Sequence, residues 1–281
     1  MSHHHVYDTF LFGNELDMLQ MRLEELESAH DLTHILVEAK YDHQGHPKPL
    51  YYAENQDRFD RWADRIIHVV ADIPGPDAEL DPWIRERTQR EQIHNGLYAD
   101  EAMPSDLILL CDVDEIPSAD FVKRVRSFPL PSVMTMKMDM AMFAVDWVIP
   151  AQQEIAVCGY LSDMGKFPFG LLRANSYRKA NPQITQAGWH FSWLGGPEEI
   201  SAKCERFCHG ELRELILKGN EENRWYGEGW TWYSHNWTHR MIPPEKALYQ
   251  MIPTMVNPDD EWYPRYIRER RCPEVWFRPK D

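Results

Sequence analysis

The run Asp106 to Cys111 (DLILLC) ends directly against acid, in Asp112-Val113-Asp114-Glu115. An unbroken apolar stretch of strand length reads as a strand covered on both faces of a sheet. Such cover comes from helices, so this feature favours α/β layering over a bundle or a sandwich. The first half of the chain agrees. Thr9 to Phe12, His34 to Glu38 and Ile66 to Val70 are further strand candidates. Leu16, Leu19, Leu23 and Leu26 lie at helical spacing behind Asn14, the expected cap, with Asp17 in the capping-box position. Asp81-Pro82, a cap followed by a first-turn proline, predicts one helix from Trp83 to about Tyr98, ending near Gly96. This alternation predicts an α/β fold with a mixed, mostly parallel central sheet and flanking helices. Ligands in such sheets bind beyond the carboxyl ends of the strands, where Asp112 and Asp114 fall.

The second half reads as two strands, Val133 to Met136 and Met138 to Val145. A helix opened by Gly196-Pro197 follows, with Ile200, Cys204, Phe207 and Leu215 on its apolar side. With no internal repeat and no linker, one domain spanning 1–281 is the simplest organisation. No apolar run approaches the roughly 18 residues that would cross a bilayer, and the start has no secretory pattern. Five cysteines, an odd number in a long chain, argue against a disulfide framework. A cytoplasmic, reducing location and no membrane partner are therefore expected. The formal charge is −15, with no long basic run except 265–271, so duplex nucleic acid is disfavoured. An acidic protein that holds an anionic nucleotide has one obvious device, a divalent cation between the two.

Asp112 and Asp114 can supply it. At a strand end, where the chain turns, either carboxylate reaches Mg²⁺ or Mn²⁺ directly or through water, and the cation can bridge two phosphates. The plain alternative is a solvated acidic turn. His190, in Gly188-Trp189-His190-Phe191-Ser192-Trp193, is a hydrogen-bonded core histidine or a third metal ligand. Glu198 and Glu199, in the first turn of the helix after Gly196, either complement the helix dipole or include a base for an acceptor hydroxyl. Eight of the 11 tryptophans lie from Trp189 onward, and Trp225, Trp230, Trp232 and Trp237 cluster with Tyr226 and Tyr233. They suit stacking on sugar rings or a core layer under a loop equally well. Cys204-x-x-x-Cys208-His209 has no second pair to make a zinc site. Walker and Gly-x-Ser-x-Gly signatures are absent, which removes P-loop and serine-hydrolase chemistry.

Together these stretches resemble glycosyltransferase family 17, typified by an N-acetylglucosaminyltransferase. The resemblance is carried by Phe12-Gly13-Asn14-Glu15-Leu16-Asp17, Arg22-Leu23-Glu24-Glu25-Leu26, Val37-Glu38-Ala39, Lys48-Pro49-Leu50 and Gln89-Arg90. It continues through Asp112-Val113-Asp114-Glu115-Ile116-Pro117, Ala187 to Trp193 and Glu198, with a weaker match at Tyr263-Pro264-Arg265-Tyr266-Ile267. The resemblance implies a GT-A-type (Rossmann-like) fold, a UDP-sugar donor (UDP-GlcNAc by analogy), Mn²⁺ or Mg²⁺, and inversion at the anomeric carbon. It implies a nucleotide and metal half at about 6–120 and an acceptor half at about 130–281. In its terms Asp112, Asp114 and His190 hold the metal. Glu38, Gln89, Arg90, Asp112 and Trp189 line the nucleotide, and Glu198 is the base. The chain is most similar in kind to compact bacterial and viral members. Its acceptor is then a glycan, a polysaccharide, a small glycoside or, in a phage setting, a modified nucleobase. Two other classes remain in view: a sugar-nucleotide pyrophosphorylase, which needs a Gly-rich basic loop after the first strand, and a carbohydrate-binding module using the tryptophans without nucleotide or metal.

Overall fold

The computed structural model describes residues 4–78, 80–143, 145, 152–206 and 212–222, and the backbone of 230–231 and 239–240. Phe207, Cys208, the side chains of Trp225 to Trp237 and residues 263–271 lie outside the described residues. The chain divides into two compact units. One comprises Met1–Met138 with Glu154–Gly188, the other Asp139–Gln153 with Trp189–Asp281.

The first unit opens with β1 (Val6–Phe12), α1 (Leu16–Glu25), β2 (Leu32–Ala39) and, after a kinked 3-10 stretch, β3 (Ile66–Ala71). Then come α2 (Pro82–Glu91), α3 (Ile93–Ala99), β4 (Leu107–Asp112), β5 (Glu115–Pro117) and α4 (Ala119–Ser127). They are followed by β6 (Met134–Met142), β7 (Gln153–Tyr160), three short helices α5 (Leu161–Met164), α6 (Phe169–Leu172) and α7 (Asn175–Ala180), and β8 (Gln183–Ile184). The sheet order runs β3-β2-β1-β4-β7-β6. The first four strands are parallel and β7 is antiparallel to β4. This is the mixed, mostly parallel central sheet expected. β4 shows why the sequence forms it: Leu107, Leu109 and Cys111 pack on one face with Phe121, Val122 and Val125 of α4. Ile108 and Leu110 pack on the other with Ile93 and Leu97 of α3. All five apolar residues of β4 are fully buried, each branched one contributing roughly 1.5–3 kcal/mol.

The chain leaves β1 outward to β2 and β3, then returns to the opposite side of β1 as β4. The strand order therefore reverses between β1 and β4, the position where α/β sheets open a ligand crevice. The parallel register brings Leu11 beside Asp112 and Phe12 beside Glu38. Gly13, Glu38 and Asp112 thus share one carboxyl edge, with the backbones of Glu38 and Asp112 roughly 10 Å apart at two inter-strand spacings.

In the second unit the end of β6 pairs in parallel with β9 (Gly188–Ser192), which leads to α8 (Pro197–Cys204) and α9 (Arg213–Glu221). Met140, Met142, Phe143, Trp193, Ile200, Cys204 and Ile216 form its core. The backbone of β10 (Trp230–Thr231) pairs antiparallel with β11 (His239–Arg240). No described helix is long and apolar enough to cross a membrane, and the described cysteines 111, 158 and 204 are buried thiols.

Four local expectations are corrected. Asn14 does not cap α1; the helix starts at Leu16, and the Glu15 carboxylate instead accepts the amides of Asn14 at 2.8 Å and Gly13 at 3.1 Å. The helix expected from Trp83 to Tyr98 is two, broken at Gln92 by three-residue hydrogen bonds from Gln92 to Gln89 and from Asn95 to Gln92. The break lets Gly96 press on the sheet, where a Cβ would sit 2.5 Å from Ile35. The two strands expected at Val133 to Val145 are the single β6, with Lys137 at a half-exposed strand position rather than in a gap. The helix after Gly196 ends at Cys204, and Leu215 belongs to α9.

Candidate active site

The Asp112–Glu115 turn is held from beneath by Arg22. Arg22 faces inward from α1 and is fully buried. Its Nη1 donates to the carbonyls of Asp112 at 3.0 Å, Val113 at 3.2 Å and Glu115 at 2.8 Å. Its Nε donates to Asp8 Oδ2 at 2.7 Å, and its Nη2 pairs with Asp8 Oδ1. Burial would raise Asp8, but the Arg22 charge and the hydrogen bonds from Arg22 and His34 outweigh it and hold the carboxyl at about 2. His34 Nδ1 lies 2.8 Å from the same carboxylate. Burial lowers His34 more than Asp8 restores it, so the ring is neutral and its Nδ1–H is the donor. Asp8, Arg22 and His34 carry no local sequence signal; only the packing of α1 across β1 and β2 joins them.

Asp112 sits where β4 turns, its side chain 37% exposed. Arg90 Nη2 donates to one carboxylate oxygen at 2.8 Å and Arg173 Nη2 to the other at 3.0 Å. Arg90 also pairs with Glu86. Arg173 donates to Glu115 Oε1 at 2.5 Å and to the Ile155 carbonyl at 2.6 Å. Glu115 in turn accepts the Asp112 amide at 2.7 Å. Burial alone would weaken both guanidinium charges, and the adjoining carboxylates more than reverse that. Arg173 carries no sequence signal because it follows a short, aperiodic helix and meets partners that lie 58 and 61 positions away along the chain.

The other nucleotide-side candidates stand along the same edge. Glu38 is fully buried. It accepts the Tyr52 amide at 3.1 Å and faces His68 Nε2 at 3.1 Å, with Lys48 Nζ 3.7 Å away. Lys48 donates to the Gly13 carbonyl at 3.2 Å. Gln89 donates to the Val37 carbonyl at 2.8 Å and meets His43 at 3.0 Å. Glu38 and Gln89 thus brace the strand ends, whereas Arg90 touches Asp112 directly.

The remaining candidates belong to the second unit. Trp189 and His190 are half-exposed on β9, in register with Asp139 and Met140 of β6. Burial raises the Asp139 carboxyl against a hydrogen bond from Gln152; no local motif singles it out. Glu199 accepts the Gly196 amide at 2.9 Å and so serves the start of α8. Glu198, beside it, is exposed.

Among the described residues no three His, Cys, Asp or Glu side chains are grouped as a metal-ligand set. Asp112 and the half-exposed Asp114 share one turn and offer hard oxygen donors. Both Asp112 oxygens carry an arginine hydrogen bond yet keep further lone pairs. That is a partial site of the kind Mg²⁺ or Mn²⁺ completes with phosphate oxygens and water.

A parallel sheet of this order, with acids and buried arginines at the carboxyl edge beside its switch point, is the architecture of an α/β domain that takes a ligand at that edge. The chain belongs to glycosyltransferase family 17, which it matches over residues 1–218. It is similar to the β-1,4-mannosyl-glycoprotein 4-β-N-acetylglucosaminyltransferase of Rattus norvegicus, 26% identical over 74% of this chain and 43% of that protein. The Homo sapiens protein of the same description is 26% identical over 71% of this chain and 42% of its own length. The chain therefore spans less than half the length of these curated relatives. Among solved structures, a mannosyltransferase of Pyrobaculum calidifontis in complex with GDP-Man and Mn²⁺ is similar over 79% of this chain and 74% of its own. The identity is 11% and the TM-score 0.40.

Proposed function

We propose that this protein is an inverting glycosyltransferase that moves a sugar, N-acetylglucosamine by similarity to the named relatives, from a UDP-sugar to a hydroxyl of a glycan acceptor. The observation that carries the reading is Asp112, placed at the end of β4 beside the switch point with Arg90 and Arg173 on its two oxygens. In this reading Asp112 and Asp114 hold Mn²⁺ or Mg²⁺, which would neutralise charge on the departing diphosphate. Arg22 keeps the turn rigid by fixing three of its carbonyls, so the acids need no reorganisation when the donor arrives. Arg90 and Arg173 supply buried positive charge beside the leaving group. Inversion needs one base and no covalent intermediate, and the exposed Glu198 is our candidate to take the acceptor proton. Trp189 and His190 are assigned to the donor and metal side on the family resemblance. We read 1–281 as one catalytic chain working in the cytoplasm.

The pyrophosphorylase alternative fits poorly. The amides of Gly13 and Asn14 after β1, where a phosphate loop would cradle its ligand, are already taken by the protein's own Glu15 carboxylate. A binding module would leave the arginine-gripped acids without a task.

The test is calorimetric titration of UDP, then UDP-GlcNAc, with and without Mn²⁺, on the native protein and on Asp114→Ala. The proposal expects native binding to need the metal and Asp114→Ala to lose at least about tenfold in affinity, on the order of 1.4 kcal/mol. No UDP binding under any metal condition would sink it.

A further inference from the structure

Two buried cations grip the carboxylate that the proposed reaction assigns to a metal. Arg90 and Arg173 each donate one Nη2–H to a different oxygen of Asp112, at 2.8 and 3.0 Å, and their side chains are only 2% and 9% exposed. A bare divalent cation approaching Asp112 meets both positive charges within hydrogen-bond reach of its donor atoms, inside a poorly screened pocket. A nucleoside diphosphate changes that balance. Its phosphate oxygens offer the guanidiniums new partners in bidentate geometry and supply the metal with further ligands. Arg173 can change partners: its Nη2 is split between Asp112 and Glu115, and its buried Nε–H has no hydrogen-bond partner among the described residues. Glu86 and Glu115 remain beside Arg90 and Arg173 when Asp112 is released, so neither guanidinium is stranded.

We propose that Arg173, together with Arg90, is a positioning latch on Asp112 that makes the Asp112–Asp114 turn take a divalent cation only together with a nucleoside diphosphate. The latch rests on the donor-site reading above and adds a direction to it: the arginines oppose metal alone and favour metal with nucleotide. Early metal loading is then disfavoured, and release of the diphosphate product loosens the metal. Coupling of this kind between two ligands is reciprocal, so metal must tighten UDP by the same factor.

The experiment titrates Mn²⁺ alone, then Mn²⁺ with UDP, following free Mn²⁺ by electron paramagnetic resonance. The proteins are native, Arg173→Met and Arg173→Lys, each checked for native thermal unfolding. In the native protein UDP should tighten Mn²⁺ at least about tenfold, within the usual range of such couplings. Arg173→Met should bind Mn²⁺ alone at least about fivefold more tightly than native, with the gain from UDP reduced to a few-fold. A residue that merely supported the fold would weaken both titrations together. Arg173→Lys keeps the charge without the fork and should fall between, which preserves the test if the methionine variant does not fold. Unchanged or weaker Mn²⁺ binding without nucleotide in both variants, beside native-like tightening by UDP, would overturn the latch and leave the donor-site reading standing. Failure of the native protein to bind UDP at all would remove both.

Discussion

Replacing Arg22 by methionine keeps an unbranched side chain over Phe10, whose ring the guanidinium now covers at 4.3 Å, and deletes the charge. Two costs follow from the geometry. Asp8, fully buried, loses its partner; breaking a buried ion pair by removing one member costs about 3–5 kcal/mol. The carbonyls of Asp112, Val113 and Glu115 lose their shared donor. Water can reach part of that turn, so one carbonyl's desolvation, about 1–3 kcal/mol, is added. The total, about 4–8 kcal/mol, is a large part of the 5–15 kcal/mol typical of a whole protein. Its pH dependence identifies the cause. Asp8 is held at about 2, below its ordinary 3.8. A depressed carboxylate stabilises the fold above its unfolded value and loses that contribution as pH falls through the folded one, here from about 4 to about 2. Without Arg22, only the His34 hydrogen bond still opposes burial, Asp8 takes up a proton more readily, and the deficit of the variant must narrow as pH falls from 7 toward 4. Adding Asp8→Asn to Arg22→Met should recover at least about 2 kcal/mol, because no naked charge is left to bury. Urea unfolding midpoints of the three proteins at pH 7 and pH 4.5 measure all of this. An Arg22→Met protein within about 1 kcal/mol of native at pH 7, or a deficit that widens on acidification, would refute the argument.

Two further outcomes follow from the same structure. His34 resists protonation in the fold because it is buried, while the unfolded chain takes the proton near 6.5. The native protein should therefore lose stability as pH falls below about 6.5, by up to about 1.4 kcal/mol per pH unit from this residue. His34→Gln, which can still donate to Asp8 but does not titrate, should flatten that limb in a urea-unfolding series from pH 7.5 to 5; an unchanged slope would contradict the assignment. Gly188 has φ +139°, and a Cβ there would stand 2.1 Å from the Ile116 carbonyl oxygen. Gly188→Ala should cost more than about 3 kcal/mol or yield no folded protein, read by circular dichroism on heating, and a native-like melting curve would show that Gly188 stands farther from the Ile116–Ser118 backbone.

The strands of the parallel sheet, the Asp81 cap of α2 and the acids at the end of β4 were legible in the chain because each depends on neighbours in sequence. An apolar run, a cap and a turn are local patterns. The family residues were legible for the same reason, as short motifs in order. Arg90 was legible as a nucleotide-side residue, but its contact with Asp112, and the rest of what surrounds that carboxylate, was not. Arg22, Arg90 and Arg173 reach the turn from three helical regions, and Asp8 and His34 complete the support from β1 and β2. A charged residue on an apolar stripe looks in sequence like a flaw in the stripe; only the fold shows the partner that makes its burial affordable. The misplaced cap at Asn14, the break at Gln92 and the continuity of β6 through Lys137 have a related origin. At Asn14 the neighbouring Glu15 carboxylate took the loop amides; in the other two, tertiary contact outweighed local preferences worth only a few tenths to about 1 kcal/mol per residue. Local chemistry wrote the elements and the acids, and long-range packing decided which cations hold them.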